Sequence, residues 1–279
     1  MKRYLAALPE GDRGEAALIG IPYDGITAYR SGAKHGPQAI RGASYSLETF
    51  STFLDMDLLG RDYLDWGDIE TSSQPGEMLK QVDERVSNAL ELNLKTVIFG
   101  GDRTISYGVV ASMLKKFPDL AVLQVDAHAC LREELDDEKL CHLTTMKRIS
   151  EILPASRIYR LGIRSGTREE LIEAKVELPI SMDSTGIDVN SVVRAIPKDV
   201  PLYVTFDMSV FDPSLVPGVG KPKPNGFTWR DFIKTARGLN FLNVVGFDVV
   251  GLAPEHDSTG ISAVIAASAV RELMLVLMK

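Results

Sequence analysis

Short runs rich in β-branched and aromatic residues recur along the chain, and most are separated by stretches of helical period. The runs at 16–21, 63–66, 96–99, 121–125, 158–162, 178–182, 202–206 and 244–247 are expected to be strands. Between two of them, Met78, Val82, Val86 and Leu90 recur every four residues, which lays one apolar stripe along a helix. The segment 261–278 is apolar on nearly every side and reads as a mostly buried terminal helix. Runs such as LAVLQV at 120–125 and LYVTF at 202–206 are continuously apolar, as strands covered on both faces must be. The alternation therefore predicts an α/β chain, a three-layer αβα sandwich around a mostly parallel, roughly eight-stranded sheet. No repeat or linker divides residues 1–279, so a single domain is expected, and the Pro- and Gly-rich stretch 213–226 reads as a loop.

Within that pattern the polar residues fall at informative places. Asp102 follows the run at 96–99 through a Gly-Gly pair, and Asp126, Asp207 and Asp248 directly follow the runs at 121–125, 202–206 and 244–247. Aspartate often marks a strand-to-loop turn, so any one of these is unremarkable by itself. Four at the carboxyl ends of parallel strands are expected to converge on one crevice, because that edge of an open parallel sheet is where ligands bind.

Composition narrows the chemistry. With 45% apolar and 25% charged residues in 279, the chain is neither disordered nor a disulfide-stapled miniprotein. Its 31 basic and 38 acidic side chains leave a net charge of −7, which argues against nucleic acid or an anionic membrane as the main partner and leaves a small-molecule ligand. Neither the short apolar run after Met1-Lys2-Arg3 nor the stretch 258–270 suffices for a signal peptide or a membrane span, so a cytoplasmic location is expected, with Cys130 and Cys141 as free thiols.

Read in order, the motifs resemble those of the ureohydrolase family of arginases and agmatinases, most closely the agmatinase branch. The resemblance runs nearly end to end: GIPYDGITAYRSGAKHGPQAIR at 20–41, Gly100-Gly101-Asp102, Asp126-Ala127-His128, Gly162-Ile163-Arg164-Ser165, Phe206-Asp207, Asp212-Pro213 and the Asp248-Val249-Val250 run. Each triplet is weak alone, whereas the ordered set is specific. The resemblance implies a three-layer αβα domain, assembly as a homo-oligomer (trimer or hexamer), and two manganese ions that ionise a water for attack on a guanidinium carbon, releasing urea.

The chain departs from that family pattern at the centre. Arg103 stands where the family has a metal-binding histidine, Cys130 and Ser209 where it has aspartates, and Gly251 where it has a glutamate that pairs with the substrate guanidinium. Of six ligand positions, Asp126, His128 and Asp207 are retained. Two carboxylates and one guanidinium sum to −1, or −2 with a Cys130 thiolate, against the +4 of two divalent ions. A guanidinium beside Asp126 and Asp207 could itself take the space and charge of a lost metal, so an Arg103 ion pair is expected as the central feature of the pocket. His142 aligns with the histidine that shuttles protons in arginases and is a candidate acid or base, or else an ordinary loop histidine.

Several functions fit these residues. The first is a degenerate ureohydrolase, folded like the family but unable to hold two metals, with no metal or one, and acting as a non-catalytic binding, regulatory or companion protein. The second is a hydrolase with one divalent metal, zinc or manganese, on Asp126, His128 and Asp207, with Cys130 favouring zinc and His142 as general base for an amide or amidine substrate. The third is an agmatinase converting agmatine to putrescine and urea, its metals recruiting Asp102, Glu255, His256 or Asp257. The fourth is a Cys130 nucleophile activated by His128 or His142. Elsewhere, Tyr29, Arg30 and Arg41 are expected to shape a loop and helix start, Arg164 to serve an ion pair or subunit contact, and the acidic run 133–138 to form a solvated loop face.

Overall fold

A computed structural model describes residues 2–177, 180–181 and 189–279 of the chain. In chain order the strands are β1 (Leu8–Pro9), β2 (Ala16–Ile21), β3 (Phe50–Ser51), β4 (Met56–Asp57), β5 (Tyr63–Asp68), β6 (Lys95–Gly100), β7 (Ala121–Val125), β8 (Ile158–Leu161), β9 (Ile180–Ser181), β10 (Leu202–Asp207) and β11 (Val244–Val250). The α-helices are α1 (Gly36–Ser44), α2 (Pro75–Glu91), α3 (Thr104–Lys116), α4 (Thr145–Ile152), α5 (Arg168–Glu177), α6 (Val189–Ala195), α7 (Trp229–Leu239) and α8 (Ile261–Leu277).

Among the described residues, nine strands make one sheet in the order β1-β5-β2-β6-β11-β10-β7-β8-β9, with every neighbouring pair parallel. That is one strand more than the pattern predicts. The addition is β1, whose two residues are too few to give an alternating or continuous apolar signal. Strands β3 and β4, equally short and missed for the same reason, form a separate antiparallel pair. Of the expected strand at 178–182, Ile180 and Ser181 pair with β8, and the rest lies outside the described residues.

Side chains that alternate along the strands feed two cores, which is why the central strands read as unbroken apolar runs. On β7, Ala121, Leu123 and Val125 join α7 and α8 through Phe232, Ala236 and Val270. Its Val122 faces the other way, toward Met78, Val82 and Val86 of α2 and Val109 and Met113 of α3. The predicted stripe on α2 is thus its buried face. Helix α8 is buried over most of its circumference, as its composition requires. No helix among the described residues is long and apolar enough to cross a membrane.

Arg41 of α1 has a structural part beyond shaping a helix start. Its guanidinium is 1% exposed, donates to Asp65 through Nε and Nη2 at 2.8 Å each, and pairs with Asp68 through Nη1. This network ties α1 to the carboxyl end of β5.

Candidate functional site

Strands β6, β11, β10 and β7 are adjacent, so the loops after them meet over the middle of the sheet. After β6 the chain turns through Gly100 and Gly101 into α3. A Cβ on Gly101 would lie 1.8 Å from the Tyr23 carbonyl oxygen, so the glycine is what lets the two loops touch. The contact is fixed by the Gly101 and Asp102 amides, which donate to Ile21 and Tyr23, and by the Gly251 amide, which donates back to Gly101. Arg103, at the N-cap of α3, is thereby aimed across the mouth of the sheet.

The guanidinium of Arg103 is 2% exposed. Its Nη2 lies 3.0 Å from Asp126 Oδ2 as an ion pair, with N–H directions that fall short of a hydrogen bond, and its Nε donates to Asp207 Oδ2 at 3.3 Å. The expected ion pair with both carboxylates is therefore present. Nη1 has no hydrogen-bond partner among the described residues.

The two carboxylates differ in their surroundings. Asp126 Oδ1 accepts the His128 amide at 3.0 Å and the Ser209 hydroxyl at 2.9 Å, while Oδ2 also faces Gln124 Nε2 at 3.3 Å and the Cys130 thiol at 3.5 Å. Burial alone would raise the Asp126 carboxyl, but Arg103 and the His128 contacts outweigh it and hold the group well below the usual carboxylate range. Asp207 accepts the Ser209 amide at 2.8 Å, yet burial and the neighbouring Asp126 charge leave its pKa raised despite Arg103. Burial, then Asp126, also pushes the Cys130 thiol well up, so Cys130 is a neutral thiol at neutral pH and not an activated nucleophile.

The other retained donor, His128, is held by its backbone and by Ser209 Oγ, 3.3 Å from Nδ1, while its Nε2 has no partner among the described residues. His142 sits at the rim, with Nδ1 2.9 Å from the Ile26 carbonyl. Burial lowers its pKa, and Asp102 opposes that shift. Arg103, Asp126, Asp207, Ser209, Cys130, His128 and His142 line a cleft of about 570 Å³ including its open mouth, together with Asp24, Tyr29, Arg30, Lys221 and Gly251.

Asp248 departs from the expected convergence. Strand β11 runs on to Val250, so Asp248 pairs in register with Thr205 inside the sheet and not at its edge. It is fully buried, accepts the Tyr203 hydroxyl at 3.0 Å, and is pushed up to about 6 by burial against Arg103 and its hydroxyl donors. Nor do Glu255, His256 and Asp257 line the cleft. Glu255 faces His35 at 3.1 Å, His256 meets the Ser31 carbonyl, and Asp257 caps the start of α8 through Ser262. Arg164 corrects a further expectation: in place of a carboxylate it clasps carbonyl oxygens of Gly162, Ser209, Phe211, Lys223 and Pro224, tying the 213–226 loop to the site.

Gln124, Lys221, Lys223 and Arg132 were not anticipated. Gln124 reads as an ordinary member of an apolar strand, although its one amide in LAVLQV, fully buried, was a signal that it serves the site: Nε2 donates to the His128 carbonyl at 2.7 Å. The lysines lie in a loop whose glycines and prolines drew the reading toward backbone turns.

Against known proteins, residues 14–276 match the model of the arginase family. The agmatinase of Bacillus subtilis (strain 168) is 34% identical over 98% of this chain and 96% of its own length. Among solved structures, the agmatine ureohydrolase of Thermoplasma volcanium superposes with a TM-score of 0.88 at 28% identity, covering 99% of this chain and 94% of that one. The proclavaminate amidino hydrolase of Streptomyces clavuligerus superposes with a TM-score of 0.90 at 25% identity, covering 100% and 97%. The chain belongs to the arginase family.

Proposed function

We propose that this member of the arginase family is a metal-free binding protein in which Arg103 takes the place of the family's binuclear manganese. The observation that carries the reading is the Arg103 guanidinium, buried between Asp126 and Asp207 at 3.0 and 3.3 Å. Two divalent ions do not fit this donor set. A permanent cation lies between the carboxylates that would hold them, and the Asp126 oxygens already face protein donors. Cys130 is neutral, Ser209 spends its hydroxyl on Asp126, and no group of three His, Cys, Asp or Glu side chains among the described residues is arranged to hold a metal. Gly251 adds no carboxylate that could anchor a guanidinium substrate.

A second reading, hydrolysis of agmatine, draws its support from the relative named an agmatinase at 34% identity. Elemental analysis of the full chain after incubation with excess Mn²⁺, and separately Zn²⁺, combined with urea release from agmatine, separates the two. The proposed reading expects substoichiometric metal and no urea. Two manganese ions per chain with urea release would install agmatine hydrolysis in its place, and one zinc ion lost on Asp126→Ala would assign a single-metal site.

A further inference from the structure

Past His128, Cys130 and Leu143 the cleft opens into an adjoining lobe of about 500 Å³ whose walls carry Arg132, Lys221 and Lys223 against a single acid, Glu170. Glu170 is already committed. Its Oε1 accepts the Leu131 amide at 3.0 Å, its Oε2 accepts the Thr167 amide at 2.8 Å, and Arg132 Nε lies 3.5 Å away without forming a hydrogen bond. Among the described residues the ammonium groups of Lys221 and Lys223 have neither an ion pair nor a hydrogen bond, although both side chains are half-buried. Burial, Arg132 and Lys223 lower the Lys221 pKa by more than Cys130 and Glu170 raise it, as expected where three cations share one carboxylate. Net charge cannot explain the cluster, since the chain as a whole is acidic.

Three half-buried cations gathered around one concave wall repel each other, and a ligand of opposite sign relieves that repulsion while gaining charge-assisted hydrogen bonds. Lys221 lines both lobes, so a ligand seated there lies beside the cleft that holds the Arg103 centre. We propose that the lobe binds the carboxylate or phosphate group of a small anionic molecule, held by Arg132, Lys221 and Lys223. The proposal rests on the metal-free reading of the centre and deepens it by giving the ligand a sign opposite to that of a guanidine.

The test is calorimetric titration of the full chain at low ionic strength with inorganic phosphate, with succinate and with agmatine. Phosphate or succinate is expected to bind with a Kd below about 1 mM, and the tighter of the two identifies the anionic group. Lys221→Ala/Lys223→Ala should weaken that binding tenfold or more, whereas Lys80→Ala, on exposed α2, should leave it unchanged. A thermal melt of the double variant shows that it is folded, and Lys223→Glu, which reverses one charge, should abolish binding without relying on that variant. Absence of binding by both anions, or affinity unaltered in the double variant, overturns the proposal. Metal content of the same sample keeps the two readings apart: two manganese ions per chain would refute the metal-free centre, whereas a metal-free chain indifferent to both anions would refute the anion site alone.

Discussion

Replacing Arg103 by methionine tests the centre most directly. At an effective dielectric of about 20, unit charges 3.0 and 3.3 Å apart attract by roughly 5 kcal/mol each, and desolvation of the buried ions offsets several kcal/mol of this. The variant loses both attractions but keeps both buried carboxylates, so a net loss of about 3–5 kcal/mol is expected at neutral pH. In urea, with a slope of about 3 kcal/mol/M, the midpoint should fall by roughly 1–1.7 M.

The sign of the pH dependence separates this cause from a packing defect. In the wild type the Asp126 pKa is depressed, so its stabilising contribution is present above the unfolded value and is lost as pH falls through the folded one. Without Arg103, burial and mutual repulsion raise both carboxyls, so the variant loses stability as pH rises. Its deficit should therefore grow from about pH 5 to pH 8. Further substitution to Arg103→Met/Asp126→Asn/Asp207→Asn should restore most of the loss, because neither carboxylate that Arg103 had neutralised is then left buried and charged. A variant within about 1 kcal/mol of wild type at pH 7, or a deficit independent of pH, would refute the ion-pair account.

Other parts of the structure give further expectations. Asp248 is raised to about 6, so its protonated form stabilises the fold below the unfolded value and that contribution is lost as pH rises through about 6; Asp248→Asn should cancel about 2 kcal/mol of the difference in urea stability between pH 4.5 and 7.5, and parallel profiles would contradict it. Arg41→Met strands buried Asp65 and half-buried Asp68 and should cost about 3–5 kcal/mol in equilibrium unfolding. Gly101→Ala puts a Cβ 1.8 Å from the Tyr23 carbonyl, so a loss of about 3 kcal/mol or poor expression is expected, read by thermal melting. Gly251→Glu should destabilise and should not by itself confer metal binding, measured by elemental analysis, because Gly251 has φ +77° and its Cβ would lie 2.6 Å from Asp207 Oδ1.

The layers and the strands around the site were legible because apolar runs and loop aspartates obey short-range rules. Asp102, Asp126 and Asp207 reach the crevice as their positions after strands imply. Asp248 does not, because the run FDVV continues β11 through the aspartate, and the Tyr203 hydroxyl supplies a partner that no spacing rule reveals. The same limit hid the cationic lobe. Arg132, Lys221 and Lys223 are separated by about ninety residues of chain, and they meet because the loops after β7 and β10 fold over the same edge. Arg164 was read as serving an ion pair or a subunit contact, whereas within the chain five carbonyl oxygens hold it.

On the proposed reading, the departures at the centre are one change in charge and not a scatter of losses. Four aspartates and two neutral histidines around two divalent ions sum to zero. Removing the ions alone would leave −4 in one cleft, a charge that costs stability unless the carboxyls take up protons. Cys130 as a neutral thiol and Ser209 as a hydroxyl each remove one negative charge, and Arg103 adds a positive one, which brings the sum to −1 with both remaining aspartates ionised. Gly251 completes the arrangement sterically: the Asp207 carboxylate that Arg103 holds occupies the space a side chain at 251 would need. Restoring any single family residue therefore worsens the balance or meets a clash. Recovery of metal binding is expected only when Arg103→His, Cys130→Asp and Ser209→Asp are made together in one chain supplied with manganese.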